Sequence, residues 1–173
     1  SLNPEFIKIH SACNTHYEML QWLCENFPGE IQLSFGMTTR EEEEKIVNLF
    51  EANRRAEDLV LFSCTSGYPV PFKDICLLEI RRIQESFGNR VKAVGFSGHH
   101  LGIAVDAAAY TLGASVIERH FTLDRTWKGT DHAASLEPDG LRKLVRNLNA
   151  VHEALTYKAG DVLPIEQVQR EKL

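Results

Sequence analysis

His99 and His120 each close a short β-like run, and two imidazoles that end consecutive strands can share a divalent cation. Neutral imidazole binds borderline cations such as manganese, zinc or cobalt, and carboxylate or water ligands can complete the coordination. A single histidine at a strand end is equally a hydrogen-bonded structural residue, so it is the matching positions on successive runs that favour a metal. Spacing does not exclude His100 or His132 as further ligands.

A second group gathers at the ends of the first four runs: Lys8 with Ser11, then Ser34, Ser66 and Ser97. An ammonium and several hydroxyls that converge on one opening donate charge and hydrogen bonds to phosphate or carboxylate oxygens. Gly36, Gly67, Gly95 and Gly98 would keep the nearby backbone open. Any one of these serines could instead cap the helix that follows it. Glu118 precedes His120 by two residues, and Asp131 sits in the polar loop KGTDHAAS. An acid facing a barrel interior is costly unless paired or bound to a ligand. Glu118 could therefore serve chemistry or pair with a barrel Lys or Arg, and Asp131 could serve chemistry or form an Asx turn.

The elements that must position these groups alternate. β-like runs at Phe6–Ile9, Glu30–Ser34, Leu59–Cys64, Val91–Ser97 and Ser115–Phe121 are each followed by a helix-like stretch. Thr15–Asn26 carries Met19, Leu20 and Leu23 on one face. Thr39 and Glu42 form a capping box before a helix holding Ile46, Val47 and Phe50. Further helices are expected at Asp74–Phe87, Ile103–Leu112 and Pro138–Thr156, the last with Leu141, Leu144, Val145, Leu148, Val151 and Leu155 at helical spacing. The EEEE run at Glu41–Glu44 reads as a solvated helix N-terminus, favourable to the dipole.

Strand alternating with helix implies parallel strands joined by right-handed crossovers. The spacing is close to the roughly 31 residues per unit of a (β/α)₈ barrel of about 250 residues. An open doubly wound sheet fits the same alternation, and the placement of polar residues favours the barrel. Side chains two apart share a strand face, which groups Val116, Glu118 and His120, then Gly95, Ser97 and His99, then Cys64, Ser66 and Tyr68. Their polar members end several strands, as in an enzyme barrel, whereas an open sheet concentrates them at one switch point. The expected fold is thus α/β, a partial TIM-type barrel of about five β/α units over residues 1–160, with a C-terminal tail at 161–173.

Composition narrows the classes. The chain has 173 residues, 43% of them hydrophobic and 25% charged, with a net charge of −5. That balance suits an ordinary globular domain and argues against a nucleic-acid surface, which needs clustered Lys and Arg. No apolar run reaches the roughly 20 residues of a bilayer span. Cys13, Cys24, Cys64 and Cys76 follow no C-x-x-C pattern and read as buried free thiols, a usage suited to a reducing cytoplasm.

The motifs KIHSACN, LSFGM, CTSGYPVPF, VGFSGHHLGIAVDAAAYTLGASVIERHFTLD and TDHAASLEPDGL resemble, in order and spacing, those of the sialic acid synthase family, from about Phe6 to Leu148. The resemblance implies a (β/α)₈ barrel, a divalent metal that is commonly manganese, and condensation of phosphoenolpyruvate with an open-chain N-acylmannosamine-type sugar. It places Lys8, Ser11, Ser66 and Ser97 at phosphoenolpyruvate, His99 and His120 at the metal, and Tyr68, Glu118 and Asp131 around the acceptor sugar. Two positions depart from the pattern: family members often have Asn where Ser66 stands and Asp where Gly98 stands. These changes suggest a phosphorylated or non-acylated acceptor and a different support for His99.

The family's first three strands have no counterpart, and Leu2-Asn3-Pro4-Glu5 reads smoothly into the Lys8 run, so a fragment is expected. Open barrel edges favour self-association and a homo-oligomer. The chain alone is expected to show no turnover. A catalytically silent remnant that binds a sugar phosphate or a partner chain, and a metal-assisted hydrolase, stand as the competing readings.

Overall fold

Runs rich in Ile, Val, Leu and Phe form the strands of one sheet: β1 (Phe6–Ile9), β2 (Glu30–Phe35), β3 (Leu59–Cys64), β4 (Ala93–Gly98) and β5 (Val116–Arg119). They come from a computed structural model that describes residues 4–173; the expectation that Leu2 and Asn3 lead into the first strand lies outside the described residues. Strand order follows chain order, and each neighbouring pair is parallel. A doubly wound sheet would reverse at a switch point. Here the crossovers step one way, which gathers the helices on one face and curls the sheet as part of a (β/α)₈ barrel.

The helices are α1 (Tyr17–Asn26), α2 (Arg40–Ala52), α3 (Glu79–Phe87), α4 (Ala104–Thr111), α5 (Pro138–Ala154) and α6 (Pro164–Arg170). Ile31, Leu33, Leu61, Val94 and Phe96 on the outer sheet face pack with Leu20, Ile46, Phe50, Ile80 and Ile83 from the helices. Burying each such side chain contributes roughly 1.5–3 kcal/mol. The opposite face carries Lys8, Ser34, Phe62, Cys64, Ser97 and Glu118, because alternate residues point opposite ways. Gly95 leaves room there for Phe62, whose Cε1 would lie 2.8 Å from a Cβ on the glycine.

Several boundaries differ from the sequence reading. β5 stops at Arg119, so His120 lies just past the strand and Phe121 forms an isolated bridge to Leu136. The helix expected from Asp74 starts only at Glu79, after a 3-10 turn at Phe72–Asp74 and a left-handed Cys76 (φ 53°) that a continuous helix cannot contain. The expected tail contains α6. The Thr39–Glu42 capping box is present: Thr39 Oγ1 accepts from the Glu42 N–H at 3.2 Å, and Glu42 Oε2 accepts from the Thr39 N–H at 2.8 Å.

The reading of Glu41–Glu44 as solvated is wrong for Glu43. That carboxylate is buried between Arg40 (3.2 Å) and Arg82 (2.8 Å), because α3 packs beside α2 and brings its own arginine. The four cysteines are free, but only Cys24 is buried; Cys76 is exposed, and Cys13 and Cys64 are intermediate.

Candidate active site

Barrel geometry brings the C-terminal strand ends together, and the expected groups other than Lys8 and Ser66 line one cavity there. A cavity of about 190 Å³ is lined by His10, Ser11, Ser34, Cys64, Tyr68, Ser97, His99, Glu118, His120 and Asp131. The rings of His99 and His120 are neighbours, with centroids 5.1 Å apart, and Tyr68 covers both at 4.6 and 5.5 Å. Asp131 Oδ2 stands 3.8 Å from Nδ1 of His120, while Asp131 Oδ1 accepts from the Thr130 hydroxyl at 2.8 Å.

Nδ1 of His99 lies 2.9 Å from the carbonyl oxygen of Thr65. A carbonyl can only accept, so Nδ1 carries the proton and Nε2 is left with its lone pair. This is how a metal-binding histidine is commonly oriented. It also shows how His99 is supported without an acid at position 98. Two imidazoles with two carboxylates nearby suit a borderline divalent cation and leave coordination positions open for substrate. The two imidazoles suit such an ion by donor type, although no group of three or more His, Cys, Asp or Glu side chains among the described residues is placed to hold one.

The charges of the site are coupled. Burial opposes a proton on His99, yet the adjacent Cys64 thiol and the Thr65 carbonyl outweigh it and raise the imidazole's pKa. Burial and the neighbouring His99 lower that of His120. Burial would raise the Cys64 thiol, but contact with His99 and Ser11 brings it below the ordinary range. Desolvation lowers Lys8, partly offset by Glu118.

Glu118 accepts from Ser97 Oγ at 2.7 Å through Oε1 and pairs with Lys8 Nζ at 2.9 Å through Oε2. The ion pair considered for Glu118 is thus present, and Lys8 is directed to Glu118 and the face of Phe62 (3.5 Å to the centroid). Ser11 and Ser66 converge on Gly36, where a Cβ would lie 2.4 and 2.7 Å from their hydroxyl oxygens. Ser66 lines a neighbouring cavity of about 450 Å³ with Ser63, Thr65, Arg40 and Arg82, and its buried Oγ has no partner among the described residues.

Sequence reasoning passed over Asn14, Thr65 and Cys64. Asn14 donates to the carbonyls of Ser34 (2.8 Å) and Gly36 (3.1 Å), tying the turn that carries Ser11 to the end of β2. A buried Asn in KIHSACN was the available signal for it. Thr65 acts through its backbone and leaves no signal in a side chain. Strand parity groups Cys64 with Ser66 and Tyr68, but its reading as a buried thiol kept it out of the candidate site. His100 is fully buried on the other side of the strand end, and His132 meets Trp127 edge to face; neither lines this cavity.

Residues 1–160 match the NeuB family. The chain is 36% identical over 172 residues to the human N-acetylneuraminate-9-phosphate synthase, covering 99% of this chain and 46% of that protein. It is 38% identical over 127 residues to the N,N'-diacetyllegionaminic acid synthase of Campylobacter jejuni, covering 73% of this chain and 37% of that one. The crystal structure of the N-acetylneuraminic acid (sialic acid) synthetase of Leptospira borgpetersenii superposes with a TM-score of 0.83 at 28% identity, over 97% of this chain and 57% of that one. The chain spans less than half the length of these curated relatives. With the family match over residues 1–160, the identity to these synthases and the shared parallel barrel sheet in agreement, the chain belongs to the NeuB family.

Proposed function

We propose that this chain carries the divalent-metal centre and much of the anion site of a synthase that condenses phosphoenolpyruvate with an N-acylmannosamine-type aldose, giving a nine-carbon 2-keto acid and phosphate. The observation that carries the reading is the juxtaposition of His99 and His120 in a cavity walled by hydroxyls and two carboxylates. His99 and His120 would hold the cation, which we take to be manganese, and when bound it supplies Lewis acidity to the acceptor's carbonyl oxygen.

The remaining roles fall to the chain's own groups. Ser11 and Ser34 offer O–H donors to phosphate and carboxylate oxygens, with Ser66 and Lys8 adding to that side, and Ser97 can join them only by turning its one hydroxyl proton away from Glu118. Glu118, held by Ser97 and Lys8, is fixed to accept a hydrogen bond from the acceptor or from water. Asp131 stands across the cavity for the same work, and Tyr68 closes it over the imidazoles. In the reaction, C3 of phosphoenolpyruvate bonds to the aldehyde carbon and water adds at C2. Loss of phosphate by cleavage of the C2–O bond then yields the keto acid. Positioning of the two reactants supplies much of the acceleration. A phosphorylated acceptor suits the second cavity, where the Ser66 hydroxyl stands with Arg40 and Arg82.

Calorimetric titration of the chain with Mn²⁺, alone and with phosphoenolpyruvate, tests the site. Loss of binding in both His99→Ala and His120→Ala is expected, and unchanged binding in both would remove the metal centre from this cavity. Turnover is expected only once the chain is complemented by the β/α units that complete the barrel. There, phosphoenolpyruvate labelled with ¹⁸O in its bridging position should send the label into inorganic phosphate. Label retained in the keto acid would rule out C–O cleavage.

A further inference from the structure

Behind the two imidazoles, on the helix side of the sheet, lies a charged cluster that the reaction does not use. Asp106 of α4 and the Arg119 side chain are almost completely buried, at 0% and 3% exposure, with Nη1 of Arg119 2.6 Å from Oδ2 of Asp106. The same nitrogen donates to the Gly102 carbonyl at 2.8 Å and lies 3.2 Å from Nε2 of His100, while Nη2 donates to the His100 carbonyl at 2.6 Å. One guanidinium thus binds the β4–α4 loop at two carbonyls and α4 at one carboxylate.

We propose that Arg119, held by Asp106, is a positioning residue that sets the spacing of His99 and His120; this rests on the reading of those imidazoles as metal ligands. The register explains why such a device is needed. The last pair of the β4–β5 ladder is Gly98 with Arg119, and both imidazoles lie one residue beyond it. Past that point no ladder bond fixes one strand end against the other, and Arg119 supplies the link from its own side chain. It reaches the carbonyl of the residue after His99 and is itself the residue before His120.

Gly98 belongs to the same device. A Cβ there would lie 2.9 Å from Cε1 of His100 and 3.0 Å from Cδ of Arg119, so the glycine leaves the space through which the arginine stem passes. The cluster is poorly suited to stabilising the fold. Oδ1 of Asp106, Nε of Arg119 and Nδ1 of His100 are buried with no partner among the described residues. A buried ionic network with open polar atoms contributes little net stability, while it can fix one geometry.

Titration with Co²⁺, followed by its visible d–d absorption and by calorimetry, separates positioning from general support. The chain itself, Arg119→Lys, Asp106→Asn, His99→Ala and a core variant remote from the site, Leu20→Ala, are compared under conditions where circular dichroism shows each to be folded. Arg119→Lys keeps the charge but cannot reach three acceptors, and Asp106→Asn is isosteric. Each is expected to weaken Co²⁺ by about tenfold or more, the range seen when outer-shell partners are lost, and to alter the band shape. Leu20→Ala should bind as the unaltered chain does. Unaltered affinity and spectrum in both Arg119→Lys and Asp106→Asn would overturn the positioning role alone. The same loss in Leu20→Ala would also overturn it, by reducing it to general softening. If His99→Ala binds Co²⁺ like the unaltered chain, or that chain binds none, the metal reading falls and this inference falls with it.

Discussion

Ser97 and Glu118 are register partners on β4 and β5, and the serine hydroxyl donates to the carboxylate at 2.7 Å. The second oxygen of Glu118 faces Lys8 from the far side of the sheet's concave face, at 2.9 Å. Three strands therefore meet at one carboxylate. Glu118→Gln keeps an acceptor for Ser97 and removes the charge that faces Lys8. Urea unfolding should show a loss of about 1–2 kcal/mol, the cost of leaving a partly buried charged group without its partner. Adding Lys8→Met should recover part of the loss, because the stranded charge is then removed too. A stability unchanged by Glu118→Gln would mean that solvent already screens the pair.

His99 and His120 are close enough that one proton disfavours a second, and their surroundings order the two. The pKa of His99 is raised above its unfolded value of about 6.5, and that of His120 is lowered below it. The contribution of His99 to stability is therefore fully present below the unfolded pKa and is lost as pH rises through the folded one. That of His120 is present above the unfolded pKa and is lost as pH falls through its depressed folded value. Ring-proton NMR of the metal-free chain should show His99 titrating at the higher pH, in two coupled steps. The reverse order would contradict the hydrogen-bond pattern around Thr65 and Cys64.

Gly36→Ala should separate stability from ligand binding. The new methyl would press on the hydroxyl ends of Ser11 and Ser66, which can rotate away. The expected stability cost is about 1 kcal/mol, in keeping with off-rotamer side chains, and the hydroxyls no longer converge. Phosphoenolpyruvate affinity measured by calorimetry should fall by about tenfold, which corresponds to about 1.4 kcal/mol. Full affinity in a folded Gly36→Ala chain would show that these two hydroxyls do not bind the anion.

Glu43 offers a test outside the His99–His120 cavity. Its carboxylate is 4% exposed and is shared by Arg40 and Arg82. Glu43→Ala leaves the Arg82 guanidinium with Glu79 as its remaining partner and should cost about 2 kcal/mol in urea unfolding, less than when a buried charge is left wholly unpaired. A loss below about 1 kcal/mol would place the pair among surface ion pairs.

The sequence by itself determined the strand–helix alternation and, through the two-residue period of strands, the face on which Ser97 and Glu118 fall. His99 and His120, just past the strand ends, were reached by extending that parity. These are local properties of spacing and hydropathy, so they survive without coordinates. It also exposed the Thr39–Glu42 cap, whose two bonds lie within one helical turn. The tertiary structure alone supplied the ion pair of Glu118, because Lys8 comes from a strand 110 residues earlier and meets it only when the sheet curls. It alone buried Glu43, through an arginine on another helix, and ended the third helix's N-terminal extension at Cys76, whose backbone angle no local pattern announces. Thr65 and Arg119 were invisible for a related reason. One orients His99 through a backbone carbonyl and the other binds loop carbonyls, and a carbonyl is the same at every position in a sequence until the fold gives it a neighbour.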